Sequence, residues 1–347
     1  MKSSYNYWAR TALGLEELVV KELRLKLGIS EFQSAHKSVF FTVDHAQSTE
    51  SLLSIKTADD IFQYLGSCTG IDNKKSSSEK FIQHFKREVI PQLLKRGSAN
   101  VRVTLSFLGQ RNFNRYFIEN LLGEVITSET DCRVFSNESA DPWQEGEVRI
   151  RYHVEGEIAY CGIALSDKPL HRRPWRTAKY TAQLHPPVAA AMAGLIKAED
   201  GDVIIDPFCG SGTLLIESAL VNPDIRHAGF DTSLEAIKAA QENSRTAGVP
   251  VELTEREFIS VYQNYSSYLI VSNPPWGERH EQEKLDSESN FLNRLAKIVS
   301  ASKGAILLLP ADCVSELENI GLTCVEVTQI RIKGKLASMV LWKADGT

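Results

Sequence analysis

Apolar residues along the chain follow two rhythms, every second position and every third or fourth, and the switches between them mark out its elements. Over the first 70 residues they predict strands at 5–11, 32–34, 38–43 and 60–67, and helices at 15–27 and 46–53. That is a β-α-β-β-α-β order, the split-βαβ arrangement. The polar run 72–80, with Ser76-Ser77-Ser78, reads as a linker. Beyond it come a helix at 79–95, a strand at 100–105, a helix at 111–128, a strand at 132–135, and strands at 147–154 and 157–164 joined by Glu155-Gly156. The remainder predicts strands at 202–206, 226–230, 251–254, 268–272 and 304–309 with helices between, closing on a hairpin, 322–332 and 335–343, around Lys333-Gly334-Lys335. Crossover helices make the first of these strands parallel, and the hairpin inserts an antiparallel strand, so an α/β mixed sheet is expected.

Two of the apolar runs end in segments with distinctive chemistry. The run 202–206 leads into Asp206-Pro207-Phe208-Cys209-Gly210-Ser211-Gly212-Thr213 and then a helical pattern at 213–220. Gly210 and Gly212 permit positive φ and let a ligand approach the backbone, while the helix N-terminus offers unpaired N–H donors. The turn is not a GxGxxG fingerprint, and it lacks the lysine of a Walker loop. Asp231 closes the next strand about 20 residues on, where a nucleotide-binding α/β fold places the carboxylate that holds ribose hydroxyls. As an alternative, Asp206 and Asp231 each suit a helix cap.

The run 268–272 leads into Asn273-Pro274-Pro275-Trp276. A planar exocyclic amine is a poor nucleophile, because its lone pair is delocalised into the ring. The Asn273 side-chain oxygen and the Pro274 carbonyl can each accept one N–H, leaving the lone pair facing an electrophilic methyl group. The two prolines stiffen the turn, and Trp276 offers a flat face on which a base can stack. No general base is required, since the methylated amine is acidic and sheds its proton to water. Alone, the tetrapeptide reads equally as a proline-rich turn after a buried strand. Paired with the glycine turn, and with both at the C-terminal ends of predicted strands where open α/β sheets bind ligands, it points to methylation of an amine.

These two motifs resemble those of the Rossmann-like S-adenosylmethionine (SAM)-dependent methyltransferases. His171-Arg172-Arg173-Pro174-Trp175-Arg176, with the stretch from Ala182-Gln183-Leu184-His185 to Ala191, is similar to the linker and leading helix of THUMP-domain RNA methyltransferases. The resemblance implies a C-terminal Rossmann-like SAM methyltransferase domain, a seven-stranded mixed sheet with a terminal antiparallel hairpin, preceded by α+β ferredoxin-like and THUMP domains. The expected boundaries are 1–70 for the ferredoxin-like domain, 71–165 for THUMP, 166–185 for a basic interdomain linker and 186–347 for the methyltransferase. The implied cofactor is SAM, held by Asp206, Phe208, Gly210, Ser211, Gly212 and Thr213, with its ribose on Asp231. Where the family carries a glycine-aspartate pair against adenine, this chain reads Glu255-Arg256-Glu257-Phe258. Glu257 is the expected substitute, with the Phe258 main chain and ring beside the adenine; an exposed, charged strand end is the other reading. Asn273, Pro274 and Trp276 are the implied amine site.

Within that family the resemblance is closest to the TrmN-like tRNA guanine-N2 methyltransferases acting at position 6 of the acceptor stem. The large-subunit rRNA guanine-N2 enzymes come second, since that branch typically carries leucine after the asparagine where this chain has Pro274. The expected product is thus N2-methylguanosine in tRNA. Two further alternatives are a DNA adenine-N6 methyltransferase, which generally carries a target-recognition region in place of these N-terminal halves, and an RNA-binding adaptor whose methyltransferase fold is silent.

Composition adds limits. A prior of roughly 150 residues per domain allows two or three units, and the apolar fraction of 43% leaves no shortage of core. No apolar stretch reaches the roughly 18 residues of a membrane helix, and Met1-Lys2-Ser3-Ser4 lacks a signal core, so a cytoplasmic monomer away from membranes is expected. The six cysteines include no CxxC pair, which argues for reduced thiols and no metal site; Cys209 reads as a small packing residue. Net charge is −1 over residues 1–70, +4 over 71–185 and −8 over 186–347. Phosphate recognition needs only a local patch. Arg172, Arg173, Arg176 and Lys179 around Trp175 supply one, for RNA contact or for interdomain packing. The lysines between Lys74 and Lys95 read as a solvated face. Structured RNA, tRNA above all, is the expected partner.

Overall fold

The computed structural model describes residues 6–43, 48–138, 142, 144–180, 183–275, 286–332 and 334–343, without side chains at 286–290 and 343. The chain divides into two compact units, Met1–Thr11 with Val19–Leu170, and Ala12–Leu18 with His171–Thr347.

The first unit begins with strand β1 (Tyr7–Arg10), helix α1 (Glu16–Leu27, whose first residues belong to the second unit), β2 (Phe32–Ala35), β3 (Ser38–Phe41), α2 (Thr49–Leu53) and β4 (Asp60–Thr69). β1 lies between β3 and β4 and runs antiparallel to both, which is the ferredoxin-like arrangement. α2 starts at a Ser48 cap, three residues after the predicted start, whose first residues 46–47 lie outside the described residues. There follow α3 (Ser78–His84), α4 (Ile90–Arg96), β5 (Asn100–Phe107), α5 (Arg115–Glu129), β6 (Arg133–Val134), β7 (Val148–Glu155) and β8 (Ile158–Ala164), the THUMP-like part.

A single sheet runs through both parts in the order β2-β3-β1-β4-β8-β7-β5-β6, because β4 pairs with β8 on its second edge. The join is closed by Trp8, Phe40, Phe62 and Tyr160. Gly162 makes it possible: a Cβ there would lie 2.8 Å from the Phe62 Cβ. The helix predicted over 79–95 forms, but Phe85–Val89 between α3 and α4 is a π-helical turn, with the Ile90 N–H bonded to the Phe85 carbonyl. Pro91 accounts for it, since it has no N–H to continue the α-helical ladder and its ring crowds the preceding turn.

The second unit contains α6 (Pro186–Leu195), β9 (Val203–Asp206), α7 (Thr213–Val221), β10 (Arg226–Asp231), α8 (Leu234–Ala247), β11 (Glu252–Glu255), β12 (Tyr268–Ser272), α9 (Asp286–Ser300), β13 (Gly304–Leu309), α10 (Ala311–Asn319), β14 (Cys324–Ile332) and β15 (Lys335–Lys343). Its sheet has the order β11-β10-β9-β12-β13-β15-β14. The first five strands are parallel, β15 is antiparallel to β13, and β14 to β15. This is the Rossmann-like mixed sheet with a terminal hairpin.

Both faces of its central strands are buried. Ile204, Leu269, Val271 and Ile306 meet Val188 and Met192 of α6 on one side. Ile205, Ile270 and Leu307 meet Leu292 and Leu295 of α9 on the other. Two-sided burial is why these strands read as nearly unbroken apolar runs. After β11 the chain crosses back to lay β12 on the far side of β9, and this reversal of strand order opens a crevice at the strands' C-terminal ends.

Candidate active site

Because β9, β10, β11 and β12 are parallel, their last residues share one edge of the sheet, and the two sequence motifs meet there. Asp206, at the end of β9, is buried, and its Oδ1 accepts from the Phe208 N–H at 3.1 Å and from the Ser272 hydroxyl at 2.7 Å. Burial pushes the Asp206 carboxyl up to about 7, against the pull of these two hydrogen bonds, and the nearby Asp231 charge adds to the rise.

The glycine turn is held both by its neighbours and by a bond of its own. The Cys209 N–H bonds to the Phe230 carbonyl at 2.9 Å, the Gly210 N–H to Asp231 Oδ2 at 3.0 Å, and the Gly212 N–H to the Cys209 carbonyl at 2.8 Å. The two glycines serve different ends. Gly210 has φ +52 and open space where a Cβ would stand, whereas at Gly212, with φ +77, a Cβ would be 3.1 Å from the Ala240 Cβ of α8. Gly210 therefore leaves room for a ligand, and Gly212 lets α7 and α8 approach. Ser211 is buried, its hydroxyl accepting from Gln183 Nε2 and its carbonyl from Asn243 Nδ2, each at 3.1 Å. The Cys209 thiol is buried and pushed well above its ordinary value by burial, which suits a packing residue and not a nucleophile.

Asp231 Oδ1 accepts from the Ser233 N–H at 2.9 Å, so the carboxylate steadies the start of α8 as well as the turn. Each of its oxygens has one such bond and retains acceptor capacity for a hydroxyl. The residues fit SAM on three counts: the open face of Gly210, the remaining lone pairs of Asp231, and the Thr213 hydroxyl in the first turn of α7, buried without a partner among the described residues.

At the end of the crevice expected to take adenine the arrangement differs from expectation. The Phe258 ring is buried in the core, 5.0 Å from Phe230 and packed on Tyr265 and Tyr268, so only its main chain remains for a ligand. Core packing outcompetes an exposed stacking role for a ring of this size. Glu257 is solvent-exposed and its Oε2 pairs with Arg294 of α9. The Phe208 ring lies 5.6 Å from Phe291.

Asn273 follows β12 directly and is half-buried, Pro274 is buried and Pro275 exposed. Trp276 lies outside the described residues.

The basic cluster is split by burial. Arg173 Nε donates to Glu217 Oε1 of α7 at 2.6 Å with both side chains buried, and Trp175 is buried too. Arg173 and Trp175 are therefore structural, contrary to the expectation that they touch RNA: a guanidinium locked in a buried ion pair has no face left for phosphate. Arg172 and Lys179 are exposed, and Arg176 is half-buried, its guanidinium lowered by burial. Sequence reasoning missed Asn243, which is fully buried on α8, accepts from the Ala178 N–H at 2.9 Å and donates to the Ser211 carbonyl. It also missed Glu217. The available signal was a polar residue on an otherwise apolar helix face, as in Thr213-Leu214-Leu215-Ile216-Glu217. Among the described residues, no group of three or more His, Cys, Asp or Glu is placed to hold a metal ion, and no helix is long and apolar enough to cross a membrane.

The second unit has the fold of a SAM-dependent methyltransferase. Residues 173–337 match the family model described as RMKL-like, methyltransferase domain. The ribosomal RNA large subunit methyltransferase K/L of Photobacterium profundum is 23% identical over 396 aligned residues, covering 95% of this chain and 53% of that protein. The U6 snRNA (guanine-N(2))-methyltransferase THUMPD2 of Mus musculus is 29% identical over 193 residues, covering 55% of this chain and 35% of that protein. The chain spans about half the length of the large-subunit relatives it matches. Among solved structures, TrmN from Thermus thermophilus has a TM-score of 0.79 at 20% identity, covering 97% of this chain and 99% of its own. SMU.472 complexed with SAH (S-adenosylhomocysteine) also has a TM-score of 0.79 at 20% identity, covering both chains fully. These likenesses extend over both units and establish the architecture: ferredoxin-like and THUMP-like parts before a Rossmann-like methyltransferase sheet.

The expectation of a tRNA enzyme is corrected by these comparisons. The relatives that match most of the chain are large-subunit ribosomal RNA methyltransferases, and the 20% identity to TrmN carries fold alone. The physical reason lies in Pro274. The part expected of the residue after the asparagine falls to its main-chain carbonyl, which leucine and proline both possess, so its side chain does not report which RNA is bound.

Proposed function

We propose that this chain methylates the N2 amine of a guanine in large-subunit ribosomal RNA, with SAM as the methyl donor. The observation that carries the reading is the Ser272–Asp206 hydrogen bond, which ties the residue before Asn273 to the start of the glycine turn across two adjacent parallel strands. A cofactor loop joined to an amine-orienting turn is what methyl transfer to a planar amine requires. The guanine N2 assignment draws on the mouse relative's named activity, and the ribosomal substrate on the relatives that match most of the chain.

When bound, SAM supplies an electrophilic methyl group. Gly210 leaves the approach open, Asp231 takes the ribose hydroxyls on its remaining lone pairs, and Thr213 offers its buried hydroxyl. Asn273 and the Pro274 carbonyl accept the two N–H bonds of the amine and so direct its lone pair. Arg172 and Lys179 offer exposed charge to phosphates. N2 of a paired guanine lies in the minor groove, so the base has to leave its stack, at a cost of about a few kcal/mol.

The test is nucleoside mass spectrometry of RNA from cells lacking this protein, after incubation with purified protein and labelled SAM. Labelled N2-methylguanosine in large-subunit rRNA is the expected result. Label confined to another RNA would overturn the substrate, and no label in any RNA would overturn the reaction.

A further inference from the structure

Ser272 is fully buried at the end of a strand whose other residues, Tyr268 to Val271, are all apolar or aromatic. A hydroxyl in such a place is costly unless it is hydrogen-bonded. Its partner is a single oxygen, Asp206 Oδ1, which also accepts the Phe208 N–H at the entry to the glycine turn. One carboxylate oxygen thus anchors both the first residues of the cofactor loop and the last residue of the strand that delivers the amine motif.

The placement matters because Ser272 is the last residue of β12 in the ladder with β13, paired with Leu307, and the chain then leaves the sheet into Pro274-Pro275. Successive side chains of a strand point to opposite faces. Fixing the Ser272 side chain inward fixes the twist of the peptide that follows, and with it the direction of Asn273. Orientation errors on the order of 1 Å cost about 10²-fold in rate.

Resting on the methyl-transfer reading above, we propose that Ser272 is a positioning residue: through its hydrogen bond to Asp206 it aligns Asn273 with the cofactor loop, without itself touching substrate or cofactor.

Four forms of the full chain separate a role of the hydroxyl from one of packing: Ser272→Ala, Ser272→Thr, Ser272→Val and, as reference, the unaltered protein. Thr and Val share a shape and differ in the hydroxyl, so their comparison cancels the cost of an added methyl group. The readouts are kcat with rRNA, KM for SAM, SAH affinity by calorimetry, and the thermal midpoint. The expected result is a fall in kcat of about tenfold or more for Ala and Val, with Thr well above Val and SAH affinity within about twofold throughout. Equal kcat for Thr and Val, or a loss of SAH affinity that parallels the loss of kcat, overturns the proposal. An unaltered protein that binds SAH but methylates no RNA overturns the underlying reading and this inference with it, whereas an active protein with an equally active Ser272→Ala variant overturns the inference alone.

Discussion

Arg173 and Glu217 form a buried ion pair, Nε to Oε1 at 2.6 Å, that fastens the basic segment to helix α7. Removing one partner strands the other charge in the interior, so Arg173→Ala is expected to cost about 3–5 kcal/mol in stability. Chemical denaturation of the purified protein measures it. A loss below about 1 kcal/mol would contradict the structural role assigned to Arg173.

Arg172 and Lys179 are exposed in the same segment and belong to a different class of variant. Replacing both with Ala is expected to cost far less stability than Arg173→Ala and to weaken RNA binding. Each phosphate that is no longer neutralised reduces the slope of log K against log salt by about 0.7–0.9. An affinity change with no change in slope would rule out phosphate recognition by these two side chains.

Asp206 makes stability depend on pH. Its carboxyl is raised from the ordinary 3.8 to about 7 in the folded protein, chiefly by burial. The folded state therefore holds this proton more tightly than the unfolded state, and the associated stability is full below about pH 4 and lost as pH rises through 7. Asp206→Asn is neutral at every pH and its amide oxygen can accept the same two bonds. Its thermal midpoint should exceed that of the unaltered protein at pH 8 and converge on it toward pH 4; a pH-independent difference would refute the shift.

Gly210 and Gly212 both have positive φ, yet their alanine variants should fail differently. Gly212→Ala adds a contact with Ala240 at 3.1 Å to the backbone strain, so it lowers the thermal midpoint more. Gly210→Ala carries about 1 kcal/mol of strain and projects its methyl into the space left for a ligand, so it weakens SAH binding more. Calorimetry and thermal unfolding, run on both, would show the same ranking in each measurement if the two glycines had one shared role.

Asn273→Ala should lower kcat by about 10²-fold or more while leaving SAH affinity within about twofold, since the amide acts on the amine and not on the cofactor. Single-turnover methylation with rRNA measures the rate; unchanged turnover would remove Asn273 from the site.

The order of elements, the parallel sheet with its terminal hairpin and both motifs at strand ends were legible in the chain, because two-sided burial writes strands as apolar runs and tight turns demand glycine and proline at particular places. Tyr268-Leu269-Ile270-Val271 and the Gly210–Gly212 turn are local facts of this kind. The tertiary structure alone decided which polar residues face which. It buried Arg173 against Glu217 and Phe258 among aromatics, joined Ser272 to Asp206 across 66 positions of sequence, and continued one sheet from β4 into β8. A side chain's charge or ring is written in the sequence, but whether it meets solvent, a ligand or a distant partner depends on which strands become neighbours, and pairing between strands far apart in the chain leaves no local pattern to read.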